Sequence, residues 1–117
     1  MKQYSAFFGR YQPFHDGHKW LIEQRLNEGK NIWIGVRDCP NNESNPFDST
    51  EVVRNITEHY YDLIDEGRVL VTIIPDIESI NYGRGVGYDI IEHNPPTDIK
   101  EISATKIREQ MRKDGKL

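Results

Sequence analysis

Cysteine occurs once in this sequence, as Cys39. One thiol makes no internal disulfide, so a reducing compartment is expected and no disulfide framework holds the fold. No stretch approaches the roughly 18–20 apolar residues that a membrane span needs. Met1 to Tyr11 lacks the apolar run of a secretory signal. A cytoplasmic protein with no membrane partner is the expectation. Excess positive charge is missing as well: 15 Lys and Arg stand against 19 Asp and Glu, for a net charge of −4. Nucleic-acid binders draw most of their affinity from a basic face, so no nucleic-acid partner is expected. A small anionic ligand remains compatible, because backbone amides and a few cations suffice to hold one. Repeats and low-complexity tracts are absent, and 117 residues suit one domain, spanning 1–117, with one core.

What is present reads as alternating strands and helices. Tyr4 to Phe8 is β-prone and ends at Gly9, which marks a first strand. Gly9 to Gly17 is a loop, with Pro13 inside it. A helix is expected from near Gly17 to about Asn27, with Trp20, Leu21, Ile22 and Leu26 on its apolar face and Gly29 just past its end. Ile32 to Val36 is a second strand, apolar enough for a buried parallel sheet. Asp38 to Pro46 is a polar loop. Asp48 with Glu51 has the spacing of a capping box, and a helix carrying Val52, Ile56, Tyr60 and Leu63 or Ile64 inward should follow. Val69 to Ile74 is a third strand. Asp76 to Gly87 is irregular, and Tyr88 to Ile91 is a possible fourth strand. Pro95 and Pro96 break the chain before a last helix from Ser103 or Ala104 to about Lys113. This order predicts an α/β fold: a parallel sheet with helices on both faces, in a single small domain. Ligands of such sheets bind at the carboxyl ends of the strands.

The loop after the first strand carries the first chemical signal, G-R-Y-Q-P-F-H-D-G-H over Gly9 to His18. Two of the four histidines lie within four residues, where a strand hands over to a helix. A helix N-terminus offers unpaired amides and a positive dipole end to phosphate. Gly9, followed by Arg10, and Gly17 let backbone approach closely. Imidazole N–H groups then stabilise charge building on a phosphoryl group. The histidine pair alone also fits a solvated loop or half of a metal site. The surrounding Gly-Arg, Pro-Phe and second Gly favour phosphate, and no cysteine or third histidine lies near to complete a metal site.

This segment resembles the signature of the cytidylyltransferase-like nucleotidyltransferase superfamily, His-x-Gly-His, here His15, Asp16, Gly17 and His18. In its longer form it is most similar to archaeal-type nicotinamide mononucleotide adenylyltransferases. The resemblance implies a Rossmann-like fold, and it implies that His15 and His18 contact a triphosphate and steady the α-phosphorus. A second segment, I-S-A-T-K-I-R over Ile102 to Arg108, has hydroxyls at a helix start and a guanidinium one turn on. Alone it reads more readily as an ordinary N-cap followed by a surface helix, and its partnership with the first motif reverses that. It resembles the superfamily's second signature, which implies that Ser103, Thr105 and Arg108 hold the β- and γ-phosphates.

The expected reaction is in-line attack of an acceptor phosphate on the α-phosphorus, with pyrophosphate leaving. Positioning and charge neutralisation then carry catalysis. Mg²⁺ is expected on the triphosphate, held by phosphates and water and not by a protein metal site. Arg37, Asp38 and Arg84 are weaker candidates for substrate contact. Arg37 and Asp38 read equally as a surface ion pair, and Tyr82 to Gly87 equally as a flexible turn. Asn45, Pro46, Phe47 and Glu51 resemble an adenylyltransferase element, but Val52 stands where those proteins commonly have Arg. Arg54 lies about 200° round the helix from there and is no obvious substitute. His59 and His93 read as surface and loop residues.

The first motif favours ATP. Chain size and Thr105-Lys106-Ile107 look more like small cytidylyltransferases, and the reading leans slightly to CTP. A phosphate-bearing small molecule is the expected acceptor, and a homodimer or higher homo-oligomer the expected assembly. The alternative from another class is a nucleotide-binding or regulatory module without turnover.

Overall fold

The computed structural model describes residues 2–85 and 87–117. Three strands form one sheet: β1 (Tyr4–Gly9), β2 (Asn31–Asp38) and β3 (Val69–Pro75). The order is β1-β2-β3, and both pairings are parallel. Phe7 lies beside Ile34, and Ile34 beside Val71. α1 (Asp16–Leu26) joins β1 to β2; α2 (Ser49–His59) and α3 (Tyr61–Asp65) join β2 to β3. The short α4 (Thr97–Lys100) packs against α1, and α5 (Ala104–Lys113) closes the chain.

The core lies where alternate strand residues meet α1 and α2. Ile32, Ile34 and Val36 of β2 are completely buried, against Ile22, Val52, Ile56 and Tyr60. As the central strand, β2 is paired on both edges and is the most buried of the three. Deleting a side chain such as Ile34 or Ile56 to Ala would cost about 2–5 kcal/mol.

The α/β, Rossmann-like reading holds, with two changes of detail. Successive right-handed crossovers that step the same way put both connecting helices on one side. The side facing away carries Tyr4, Phe8, Trp33, Leu70, Thr72 and Ile74, and Tyr4 and Leu70 remain 42% and 47% exposed. Phe8 packs edge-on against Trp33 at 5.2 Å, and the Trp33 indole donates to Thr72 Oγ1 at 3.0 Å. Gly35 leaves room there: a Cβ would sit 2.6 Å from Phe8 and 2.9 Å from Ile74. The expected fourth strand does not form. Tyr88 and Ile90 are 76% and 75% exposed and pair with no strand among the described residues. Alternation alone does not make a strand; a hydrogen-bonded neighbour does.

The second helix starts at Ser49 as expected but stops at Tyr60, whose φ of −106° and ψ of 22° break it into α2 and α3. The anticipated capping box is absent: Asp48 makes no side-chain cap bond, accepting instead from Asn41, and Glu51 faces Arg54. No helix among the described residues is long and apolar enough to cross a membrane.

Candidate functional site

The loop leaving β1 turns sharply at Tyr11, a non-glycine residue at φ +53°. A left-handed tyrosine costs energy, and the surroundings hold it there. Its ring is buried, its hydroxyl donates to the Phe7 carbonyl at 3.1 Å, and burial, then Tyr60, raises its pKa. Gly9 makes this possible, since a Cβ there would lie 2.9 Å from the Tyr11 ring. The need for Gly9 thus has a packing cause within the protein.

His15 is the N-cap of α1, and the two histidines form a capping box in place of the usual Ser and Glu. His15 Nδ1 accepts the Gly17 amide at 3.0 Å, and His18 Nδ1 accepts the His15 amide at 3.1 Å. An Nδ1 that accepts leaves the proton of a neutral imidazole on Nε2. Both rings therefore keep an Nε2–H donor free of the cap. The rings stack at 3.7 Å and 22°. Phe14 stacks on His18 at 5.6 Å, and Tyr11 meets it edge-on at 4.8 Å. Gly17 is required by this stack, because a Cβ would sit 2.8 Å from His15 Cε1.

The stack also sets charge. Burial first, and His15 second, push the His18 pKa down to about 3. Burial lowers that of His15 as well, opposed by Asp16 and aided by Lys19. Both are neutral donors at pH 7. Two imidazolium ions in face-to-face contact would repel, and the neutral pair avoids this.

From the other end of the chain, α5 delivers Arg108 to the same loop. Its Nη1 donates to the Gln12 carbonyl at 2.7 Å and its Nη2 to Thr105 Oγ1 at 3.3 Å. Ser103 caps α5, its hydroxyl accepting the Lys106 amide at 3.4 Å. Arg108 of the second motif thus touches the loop that carries the first.

The weaker candidates divide. Arg37 and Asp38 do not pair with each other. Arg37 binds Asp76 at 2.8 Å and the Ile77 carbonyl at 2.9 Å, at the carboxyl ends of β2 and β3. Its Nε is buried without a partner. Asp38 accepts from Ser49 at 2.9 Å and so serves the start of α2. Cys39 donates to Asp76 at 3.4 Å, and its pKa is raised by burial and then by that bond. Arg10 is exposed but near enough to oppose that shift. Arg84 lies exposed in a turn with Gly85, on the irregular segment. Val86, in the same Tyr82–Gly87 run, lies outside the described residues. Val52 is buried in the core and Arg54 faces Glu51 at 3.8 Å, so neither fills the place of the missing arginine.

Sequence reasoning passed over Gln12, Tyr11, Phe14 and Asp76. Gln12 is a buried polar residue whose side chain makes two bonds to Phe47. Its place between a Gly-Arg and a Pro-Phe was the only hint.

A family model described as cytidylyltransferase-like matches residues 6–67. A nicotinamide-nucleotide adenylyltransferase from Halobacterium salinarum is 37% identical over 54 residues, which cover 44% of this chain and 30% of that protein. One from Methanococcus vannielii is 27% identical over 132 aligned positions, covering 92% of this chain and 77% of that protein. Those positions outnumber the 117 residues here, so the relative carries residues this chain lacks. A bifunctional NMN adenylyltransferase/ADP ribose pyrophosphatase from Francisella tularensis superposes with a TM-score of 0.55 at 32% identity. That match covers 65% of this chain and 23% of the other. The same bacterial protein has a structure complexed with AMP and a Mn ion, with a TM-score of 0.52. The chain thus spans less than a third of the halobacterial relative it matches.

Proposed function

This chain belongs to the cytidylyltransferase-like family, and from that premise we propose that it transfers an adenylyl group from ATP to the phosphate of a mononucleotide, releasing pyrophosphate. One observation carries the reading: two neutral Nε2–H donors at a helix N-terminus share a loop with the Arg108 guanidinium. That set suits an anion with charge spread over several oxygens.

The proposed roles follow from position. His15 and His18 donate to oxygens of the α-phosphate. Arg108, held to the Gln12 carbonyl of the same loop, takes the β- and γ-phosphates together with Thr105 and Ser103. Gly9 and Gly17 keep the tyrosine and histidine rings in place, and Arg10 adds positive charge beside the loop. Neutral imidazoles act as oriented dipoles in this scheme, so no proton needs to leave the protein. The acceptor phosphate is already ionised and attacks in line, and the P–O bond to pyrophosphate breaks.

With Nδ1 accepting a backbone amide and Nε2 carrying the proton, neither ring offers a free lone pair to a metal. No cluster of three His, Cys, Asp or Glu suited to a metal occurs among the described residues. A divalent cation, Mg²⁺ in this proposal, would be held by the triphosphate itself, where it neutralises charge.

ATP replaces the lean to CTP. That lean rested on chain size and on the second motif, whereas the curated relatives are named as adenylyltransferases. Nicotinamide mononucleotide is the first acceptor to test. Arg37, with its buried unpartnered Nε, is the cation proposed for the acceptor side, in place of the arginine that Val52 replaces. A half-buried lone thiol suits a reducing setting, so the cytoplasm is the proposed location. The uncovered sheet face supports a self-associating protein.

Purified protein given Mg²⁺, nicotinamide mononucleotide and either ATP or CTP tests this by pyrophosphate release. Release with ATP and not CTP is expected. Release with CTP alone would restore the cytidylyl reading. No release with any triphosphate across a panel of phosphate acceptors would leave a nucleotide-binding module without turnover.

A further inference from the structure

The loop between β2 and α2 is stiff within itself. Asn42 Oδ1 accepts the Ser44 amide at 3.0 Å, the Asn45 amide at 2.8 Å and the Asn45 side chain at 3.1 Å. The Asn42 amide in turn donates to the Asn45 carbonyl at 3.1 Å. Asn45 is buried, and its Oδ1 has no partner. Such a segment moves as one piece or not at all.

Two bridges grip that piece, and both lead to α5. In the first, Gln12 Nε2 donates to the Phe47 carbonyl at 2.9 Å and Gln12 Oε1 accepts the Phe47 amide at 2.9 Å. The backbone carbonyl of the same Gln12 accepts from Arg108. In the second, Arg112, one turn beyond Arg108, donates to the Glu43 carbonyl. Arg112 is exposed and Arg108 half-buried, whereas Gln12 is buried and holds Phe47, which packs against the apolar cluster. A helix that carries the polyphosphate arginine is thereby fastened to this loop at two points, Glu43 within the Asn42–Asn45 turn and Phe47 beyond it.

We propose that Gln12 and Arg112 are positioning residues that tie this loop to α5, so that triphosphate binding sets the loop for the acceptor. The proposal rests on the reading that Arg108 binds the triphosphate. When a triphosphate draws the guanidinium, the strain passes through the Gln12 carbonyl to its side chain and on to Phe47. Arg112 holds the loop at Glu43, so the loop shifts as a body. Triphosphate and acceptor then bind with positive coupling, and by linkage each tightens the other.

Hydrogen–deuterium exchange across residues 40–48 of the full chain, with and without ATP and Mg²⁺, is the test. In the unaltered protein, ATP should slow exchange there about fivefold or more. Gln12→Met keeps the volume and loses both side-chain bonds, and Arg112→Ala removes the exposed bridge. Both variants should still bind ATP by calorimetry, yet lose at least about half of the protection. Acceptor KM should rise about tenfold in Gln12→Met while kcat holds. Should Gln12→Met fail to fold, Arg112→Ala, altered at the surface, decides alone. Variants that bind ATP and keep the full response overturn the coupling, as does an unaltered protein that binds ATP with no change in the loop. Failure of the unaltered protein to bind ATP or CTP removes the functional reading itself.

Discussion

Arg108 and Gln12 stand 96 positions apart, and the guanidinium of one donates to the backbone carbonyl of the other at 2.7 Å. This bond gathers the two ends of the chain. It also leaves Arg108 half-buried and pre-aimed, so little side-chain entropy is lost when an anion arrives.

Arginine at this position should not be replaceable by lysine. Arg108→Ala is expected to lower kcat about 100-fold or more. Arg108→Lys keeps the charge but cannot hold Gln12, Thr105 and an oxygen at once, and should recover little. Steady-state pyrophosphate release in the two variants checks this. Full activity in Arg108→Lys would show that charge alone matters.

His18 is expected to act on the transition state more than on binding. His18→Ala should lower kcat about 100-fold or more, with ATP affinity changed little. His18→Gln places an N–H near the lost Nε2 and should retain part of the rate. Kinetics beside calorimetric ATP titration separates the two quantities, and equal turnover in His18→Ala would remove the proposed mechanism.

Acid should loosen the fold through the same residue. The pKa of His18 falls from 6.5 to about 3 on folding, so the unfolded chain takes the proton first. The stabilising contribution is complete above pH 6.5 and is lost as pH falls toward 3. It amounts to a few kcal/mol, roughly. Urea midpoints measured from pH 7.5 to 4.5 should drop steeply in the parent protein and more gently in His18→Gln. Parallel slopes would assign the acid sensitivity elsewhere.

Gly17→Ala separates geometry from stability. In a helix this exchange ordinarily gains about 1 kcal/mol. Here the new Cβ would lie 2.8 Å from His15 Cε1 and 3.0 Å from its Nδ1, so the ring must move. Activity should fall about tenfold or more while the melting temperature shifts by only a few degrees. A thermal melt run beside the kcat measurement checks both halves.

Local rules made most elements readable. Ile32, Ile34 and Val36 announce a buried strand, and β1 to β3 extend the expected spans by at most two residues at either end. Helix α5 starts at Ala104 behind Ser103, as its hydroxyl pattern foretold. What escaped was set by distant partners. Asp48 has the residue type and spacing of a cap, but Asn41 claims its carboxylate. Arg37 and Asp38 are neighbours in sequence, yet consecutive strand residues point to opposite faces, and each finds another partner. Gln12 is invisible to any periodicity, because its role depends on Phe47 and on Arg108, 35 and 96 positions away. His15 and His18 were legible as a pair. Their tautomers were not, since those follow from which backbone amides the rings accept.

Trp33 is only half-covered on the sheet surface that α1 and α2 leave bare, with Phe8 at its edge and Thr72 holding its indole N–H. An indole in that setting emits at long wavelength while water reaches it. Whatever settles over those strands would dry the ring and shift its light to the blue. With Trp20 exchanged for Phe, the protein would carry one built-in optical gauge of its own assembly, sensitive to the bare face and remote from the histidines.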